Sequence, residues 1–345
     1  MMRDIIRHMK IAFFGLEQSE QSVFINSFGD AEVYFLAGKL DENNTEKAKD
    51  ADAVCIFIDS DVNKAVLDAL PNLKFIATRS TGLNHIDCEY AKIKGVQISN
   101  VPAYGSHTVA EFTFGLILNL SRNIIKANDY IRASSDFNYF PKMEGFDLQG
   151  KTLGIIGTGK IGKNVLKIGK SFAMNVLAYD LYPDSAFATE NNFEYKSLDE
   201  VVSKSDIITL HTPYNKENHH LINKENISKM KKGVYLVNTA RGELIDTDAL
   251  IWGLKEEIIA GAGLDVLEGE RELKEEIELL SSSSMSMKIE EYKTLLEDRV
   301  LIDMPNVIIT PHIAFYTREA VAEILKVTVL NIQGFLNNNL INFVK

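Results

Sequence analysis

Residues 152–180 read TLGIIGTGKIGKNVLKIGKSFAMNVLAYD. The apolar run 152–157 predicts a strand, 160–172 a helix, and 175–180 a second strand. Between the first strand and the helix stand Gly157, Gly159 and Gly162 in the spacing GxGxxG. That spacing alone is a weak signal. Here a strand precedes it, a helix follows it, and the next strand ends in Asp180, eighteen positions after Gly162. This is the full dinucleotide-binding pattern. Gly157 permits the tight turn, and Gly162 allows close packing of helix on strand. Gly159 lets the backbone approach a pyrophosphate at the helix N-terminus, where free N–H groups and the helix dipole favour anions. Lys160 and Ile161, in the first turn of that helix, are counted among the cofactor-binding residues. Asp180 can accept hydrogen bonds from an adenosine ribose, and its charge repels a 2′-phosphate. The expected cofactor is therefore NAD rather than NADP.

Working outward, the chain alternates β-rich runs with helical patterns. Strands are predicted at 10–16, 31–36, 53–58, 73–78 and 96–100, then at 152–157, 175–180, 206–211, 233–240, 258–266 and 306–312. Most are apolar on both faces, as in parallel sheets covered on both sides. Residues 10–100 thus read as one doubly wound α/β unit and the later strands as another. Between them SHTVAEFTFGLILNLSRNI (106–124) predicts a long helix, apolar nearly all round, suited to bracing domains or forming a dimer interface. Residues 267–303 form a charged, Ser-rich insertion, read as a surface excursion, partly helical and partly mobile, with 275–295 the mobile part. A final helix is predicted over 318–336.

The composition sets limits on function. A chain of 345 residues suggests two domains, at ~150 residues each. With 37 Lys+Arg against 48 Asp+Glu the net charge is −11, which argues against a polyanion-binding role. No apolar run is long enough to span a membrane. The first ten residues lack the apolar stretch and cleavage site of a secretory signal, and Met9 offers a second start. Two cysteines, Cys55 and Cys88, make neither a disulfide framework nor a zinc site and read as packed thiols in a reducing cytosol.

Three side chains follow predicted strands of the second series. Arg241 lies in VNTARGELID, Glu270 in GLDVLEGE and His312 in ITPHIAFYT. In open α/β sheets ligands bind beyond the carboxyl ends of the strands. An Arg can grip a carboxylate and polarise the adjacent carbonyl. A His can donate a proton, and a carboxylate can orient that His and favour its protonated form. Together these suit hydride transfer to a 2-oxo acid. His219 and His220 read as exposed loop residues, with no metal site expected. His211 reads as packing or wall, and Arg79 as either wall or substrate contact.

The run from Arg79 to Thr317 resembles the D-isomer-specific 2-hydroxyacid dehydrogenase family. The resemblance rests on RSTGLNHID, NVPAYGSHTVAEF, LQGKTLGIIGTGKIG, LHTPYNKENHHLI, LVNTARGELIDTDAL, GAGLDVLEGE and ITPHIAFYT. It implies two doubly wound (Rossmann/flavodoxin-like) domains, with a cofactor domain over 104–312 inserted into a substrate domain of 1–103 plus 313–345. It implies an Arg–Glu–His catalytic set at Arg241, Glu270 and His312, and a homodimer built on the long helix. Thr81 and Gly82 would offer backbone N–H groups to the substrate carboxylate, beside Tyr104 and Arg241. Thr212, Pro213 and Asn218 would line the cofactor site, and Thr239, Ala240 and Asp265 would flank the nicotinamide. PHIAFYT, Tyr104 and the insertion ending in MPNVIITPH are most similar to the D-lactate dehydrogenase branch. The Ser-rich tract and RSTGLNHID depart from that branch's commonest pattern, which bears on the substrate rather than the reaction. The expectation is a cytoplasmic enzyme reducing a small 2-oxo acid, pyruvate first, with NADH. The alternatives are glyoxylate, hydroxypyruvate or the 3-phosphoglycerate-derived acid as substrate, or an NAD-sensing protein without catalysis.

Overall fold

The computed structural model describes residues 9–139, 143–270, 273 and 289–344. The chain forms two compact units, one of residues up to Tyr104 and from Tyr316 onward, the other of Gly105–Phe315.

In the first unit β1 (Lys10–Phe14), β2 (Glu32–Leu36), β3 (Ala53–Ile56), β4 (Phe75–Thr78) and β5 (Gln97–Ser99) form a parallel sheet of order β2-β1-β3-β4-β5. Alternation along each strand splits the core in two. Ala12, Phe14, Val54, Ile56, Ile76 and Ile98 pack on one face. Ile11, Phe13, Cys55, Phe75 and Ala77 pack on the other, where the C-terminal helix Arg318–Leu336 supplies Leu325, Ile332, Phe335 and Leu336. Phe75 and Phe335 stack with ring centroids 4.4 Å apart. A sheet apolar on both sides needs two covers, and the chain returns from the second unit to provide one of them. Cys55 lies in this core, where burial pushes its thiol up to about 12.

The second unit holds β6 (Thr152–Ile156), β7 (Asn175–Tyr179), β8 (Glu194–Tyr195), β9 (Ile207–Leu210), β10 (Val234–Asn238), β11 (Ile259–Leu264) and β12 (Val307–Ile309). All pair in parallel, in the order β12-β11-β10-β9-β6-β7-β8. The order reverses between β6 and β9, which is where such sheets bind ligands. The helix Ser106–Arg122 packs by Phe114, Leu116, Ile117 and Leu120 against one sheet face and the helix Lys160–Ser171. Gly263 admits it: a Cβ there would stand 3.2 Å from Leu116 Cβ. The helix is buried on most of its circumference and leaves an exposed line of His107, Glu111, Gly115 and Arg122.

The insertion is partly helical, as expected, but its helix takes in residues 289–295 of the stretch read as mobile. Residues 274–288, most of the stretch read as mobile, lie outside the described residues. Ile289–Asp303 is a helix packed on the helix Thr247–Lys255, with Leu295, Asp298 and Leu301 buried. Their spacing of three puts them on one stripe, which the many charges between them conceal in the sequence. Among the described residues no helix is long and apolar enough to cross a membrane.

Candidate active site

The fingerprint turn is built as its glycines require. Gly157 has φ +94°, in the left-handed region that favours glycine. A Cβ there would stand 2.7 Å from the backbone of His211 and Thr212, at the end of β9. A Cβ on Gly162 would stand 2.0 Å from the Gly157 carbonyl oxygen, so the helix can start only where no side chain intervenes. Gly159 caps the helix Lys160–Ser171, and a Cβ on it would point into open space. The exposed first turn, with Gly159 and Lys160 at the surface, thus leaves its N–H groups open to a diphosphate. These residues fit a dinucleotide.

Asp180 follows β7. Its Oδ2 accepts from Thr158 N at 2.6 Å and Thr158 Oγ1 at 2.8 Å, and its Oδ1 accepts from Tyr182 N at 2.9 Å. Tyr195 OH lies 2.8 Å from Thr158 Oγ1. The acid is therefore fixed at the strand end, with acceptor capacity left on Oδ1. Thr158 and Tyr195 escaped sequence reasoning because the middle residue of GxG carries no type requirement and Tyr195 comes from a two-residue strand.

The remaining groups sit on the carboxyl ends of three neighbouring strands. Arg241 follows β10, Asp265 and Glu270 follow β11, and His312 follows β12. Gly242 shows how closely the first two loops approach: a Cβ there would lie 2.1 Å from Leu267 C and O. Glu270 and His312 meet directly, with His312 Nδ1 at 2.9 Å from Oε1 and 3.0 Å from Oε2. His312 has φ +55°, a strained conformation for a residue with a side chain. Asp265 holds it there. Its carbonyl accepts from His312 N at 2.9 Å, its Oδ1 from Thr310 Oγ1 and Ile313 N, and its Oδ2 from Ala314 N. Burial pushes this carboxyl above the usual range, against the pull of those donors. Asp265, expected beside the cofactor, spends its carboxylate on the turn that carries His312.

Other expected residues turn inward to varying degrees. The Thr239 hydroxyl pairs with Thr113 Oγ1 at 3.0 Å, and Ala240 N donates to Asn238 Oδ1. Asn218 closes its own turn, donating to the Pro213 carbonyl and accepting from Asn215 N. Thr212 is half-buried and Pro213 exposed. Arg241 Nη1 donates to the Ala240 carbonyl at 2.6 Å, which leaves further guanidinium N–H groups. In the other unit Thr81 and Gly82 follow β4, in a loop where Thr81 Oγ1 donates to the Val101 carbonyl and Ser80 Oγ to that of Gly82. Tyr104 is half-buried. Arg79 is buried and ties β4 to β1, donating to the carbonyls of Phe14 and Gly15.

His211 is 8 % exposed, with Nε2 2.9 Å from Thr209 Oγ1. Desolvation pushes it down to about 3, so it is neutral and acts as packing. The expectation of two exposed loop histidines holds for His219 alone. His220 is half-buried, with Nε2 2.7 Å from Glu268 Oε1, while Glu268 Oε2 accepts from Thr247 Oγ1. One potential ligand atom from each of His219, His220 and Glu268 lies within 4.8 Å of the others. Both Glu268 oxygens are already engaged, so the trio reads as a brace for its loop. No spacing signal in the sequence joins residue 220 to residue 268.

Residues 114–314 match the sequence profile described as D-isomer specific 2-hydroxyacid dehydrogenase, NAD binding domain. The chain is 38 % identical over 335 residues to an aromatic 2-oxoacid reductase of Clostridium sporogenes, covering 95 % of this chain and 96 % of that protein. It is 38 % identical over 334 residues to a D-lactate dehydrogenase of Escherichia coli, covering 94 % and 96 %. Among solved structures, the D-lactate dehydrogenase of Aquifex aeolicus complexed with NAD and lactic acid matches with a TM-score of 0.85 and 35 % identity, over 95 % of this chain and 96 % of that one.

Proposed function

The chain belongs to the D-isomer specific 2-hydroxyacid dehydrogenases, and from that premise we propose that it reduces pyruvate to D-lactate and catalyses the reverse oxidation. It is an NAD-dependent enzyme. The observation that carries the mechanism is the Glu270–His312 pair at the carboxyl edge of the sheet. Glu270 engages Nδ1 and so leaves Nε2 to face the substrate. When bound, NADH supplies the hydride that the carbonyl carbon accepts. His312 Nε2 gives the carbonyl oxygen its proton in reduction and takes it back from the hydroxyl in oxidation. Arg241 grips the substrate carboxylate and polarises the adjacent carbonyl. Asp265 keeps His312 in its strained turn.

Gly157, Gly159, Lys160, Ile161 and Gly162 hold the cofactor diphosphate and Asp180 the ribose in this reading, with Thr212, Pro213, Asn218, Thr239 and Ala240 around them. Thr81, Gly82 and Tyr104 contact the substrate. The resemblance further supports a homodimer, and two free cysteines fit a cytoplasmic setting.

The similarity to a reductase named for aromatic 2-oxo acids favours one second reading, a bulkier substrate such as phenylpyruvate. NADH consumption across pyruvate, glyoxylate, hydroxypyruvate and phenylpyruvate, with the product resolved on a chiral column, tests both. The expected result is the highest kcat/KM with pyruvate and D-lactate as product. A higher value for another acid replaces the substrate, and reduction of none of them overturns the mechanism.

A further inference from the structure

The segment Glu268–Glu270 is held residue by residue. Glu268 is gripped by His220 and Thr247 through its side chain. Gly269 donates its backbone N–H to Asp298 Oδ2 at 3.0 Å. Glu270 then meets His312. Asp298 stands apart in this set as a buried carboxylate brought in by the insertion. It lies on the helix Ile289–Asp303, and its carboxylate is 0 % exposed. Burying a carboxylate is costly unless hydrogen bonds compensate, and an N–H bond to an ionised oxygen is among the stronger ones.

The contact is built closely. A Cβ on Gly269 would stand 2.7 Å from Asp298 Oδ2 and 3.2 Å from Thr294 Cγ2, both on that helix. Only a glycine lets the loop backbone come this near without displacement. The helix itself is a fixed reference, since Leu295 is buried and Leu301 belongs to the core of the unit. The peptide it grips is one residue from Glu270, so any shift there moves the carboxylate that orients His312.

We propose that Asp298 is a positioning residue for the proton-transfer pair: it pins the Gly269 peptide to the buried helix and so sets the Glu270 carboxylate on His312 Nδ1. This rests on the roles given to Glu270 and His312 above. It also gives the helical end of the insertion a part in turnover that its charged composition conceals.

The test uses the full chain with Asp298→Leu, Asp298→Asn and Gly269→Ala, each alone and combined with Glu270→Gln. The readouts are kcat and KM on the parent's best 2-oxo acid, NADH binding by fluorescence, and the thermal melt. Asp298→Leu is expected to lower kcat on the order of 10–100-fold, the scale of a misplaced catalytic group. NADH binding stays at the parent's value. Asn keeps an oxygen that can accept the Gly269 N–H, so Asp298→Asn restores most of kcat. Gly269→Ala leaves Asp298 in place, pushes the loop off the helix and reproduces the Leu phenotype; it carries the test if Asp298→Leu does not fold. On top of Glu270→Gln, Asp298→Leu and Gly269→Ala add little, because residues acting through one group are not additive. Equal losses in both backgrounds overturn the proposal, as does a parent-like kcat in Asp298→Leu or an Asn variant no better than Leu. A parent that reduces no 2-oxo acid removes the reading of Glu270 and His312 and this proposal with it. An active parent with additive losses removes this proposal alone.

Discussion

At the residue scale, two charged side chains are expected to carry separable duties. Asp180 is fixed by Thr158 and Tyr182 at the end of β7. It should set cofactor choice, because its anion repels a 2′-phosphate and accepts from a ribose. Asp180→Ala is expected to lower kcat/KM for NADH roughly tenfold, the scale of one hydrogen bond to a charged group. Its value for NADPH should rise, and steady-state kinetics with both cofactors checks this; an unchanged ratio contradicts the role. Arg241→Lys keeps a positive charge but loses the planar fork. We expect a higher KM for the 2-oxo acid and a lower kcat, each by about tenfold or more, as when one interaction serves both ground and transition states. NADH affinity measured by fluorescence stays near the parent value. A variant that loses mainly NADH binding places Arg241 elsewhere.

At the element scale, the insertion divides into parts of different consequence. The helix Ile289–Asp303 buries Leu295, Asp298 and Leu301 and packs on the helix Thr247–Lys255. Leu301 is 1 % exposed and joins the core of the second unit, so Leu301→Ala is expected to cost about 2–4 kcal/mol, the range for a large-to-small change in a packed core. Urea unfolding measures it, and a cost below about 0.5 kcal/mol, typical of surface positions, contradicts the packing. A short linker in place of 278–288 should leave soluble, active protein, whereas one extended through 303 should not. The strands themselves were legible from composition, since a two-sided parallel sheet demands continuous apolar runs. β8 was not, because two residues carry no periodicity. The insertion was legible as partly helical, but the buried stripe of its helix was not, because three contacts are lost among charges.

At the scale of the whole molecule, pH reaches stability through His211. Burial holds it at about 3, while the unfolded chain releases it to its ordinary value of ~6.5. Between those values the unfolded state binds the extra proton. The neutral buried His therefore contributes stability fully above ~6.5, lost at roughly 1.4 kcal/mol per pH unit as pH falls toward 3. His211→Gln, which cannot take up that proton, should show a flatter acid limb than the parent in urea unfolding at pH 7, 6, 5 and 4. Parallel curves for parent and variant would show that His211 is not held neutral by the fold.

The sequence by itself determined whatever depends on local pattern. Apolar runs specified the strands, GxGxxG with Asp180 specified the cofactor turn, and the strand-end positions of Arg241, Glu270 and His312 specified the candidate chemistry. Each follows from a few adjacent residues and from the general rule that parallel sheets place their ligands at the carboxyl edge. Only the tertiary structure decided what supports them. Asp265 grips the His312 turn across 47 residues of chain, His220 reaches Glu268 across 48, and Asp298 reaches the Gly269 peptide across 29. No periodicity or motif links such pairs. They arise because buried polar groups must find partners, and which partner lies within 3 Å is settled only once the sheet is assembled and its loops are folded over the edge.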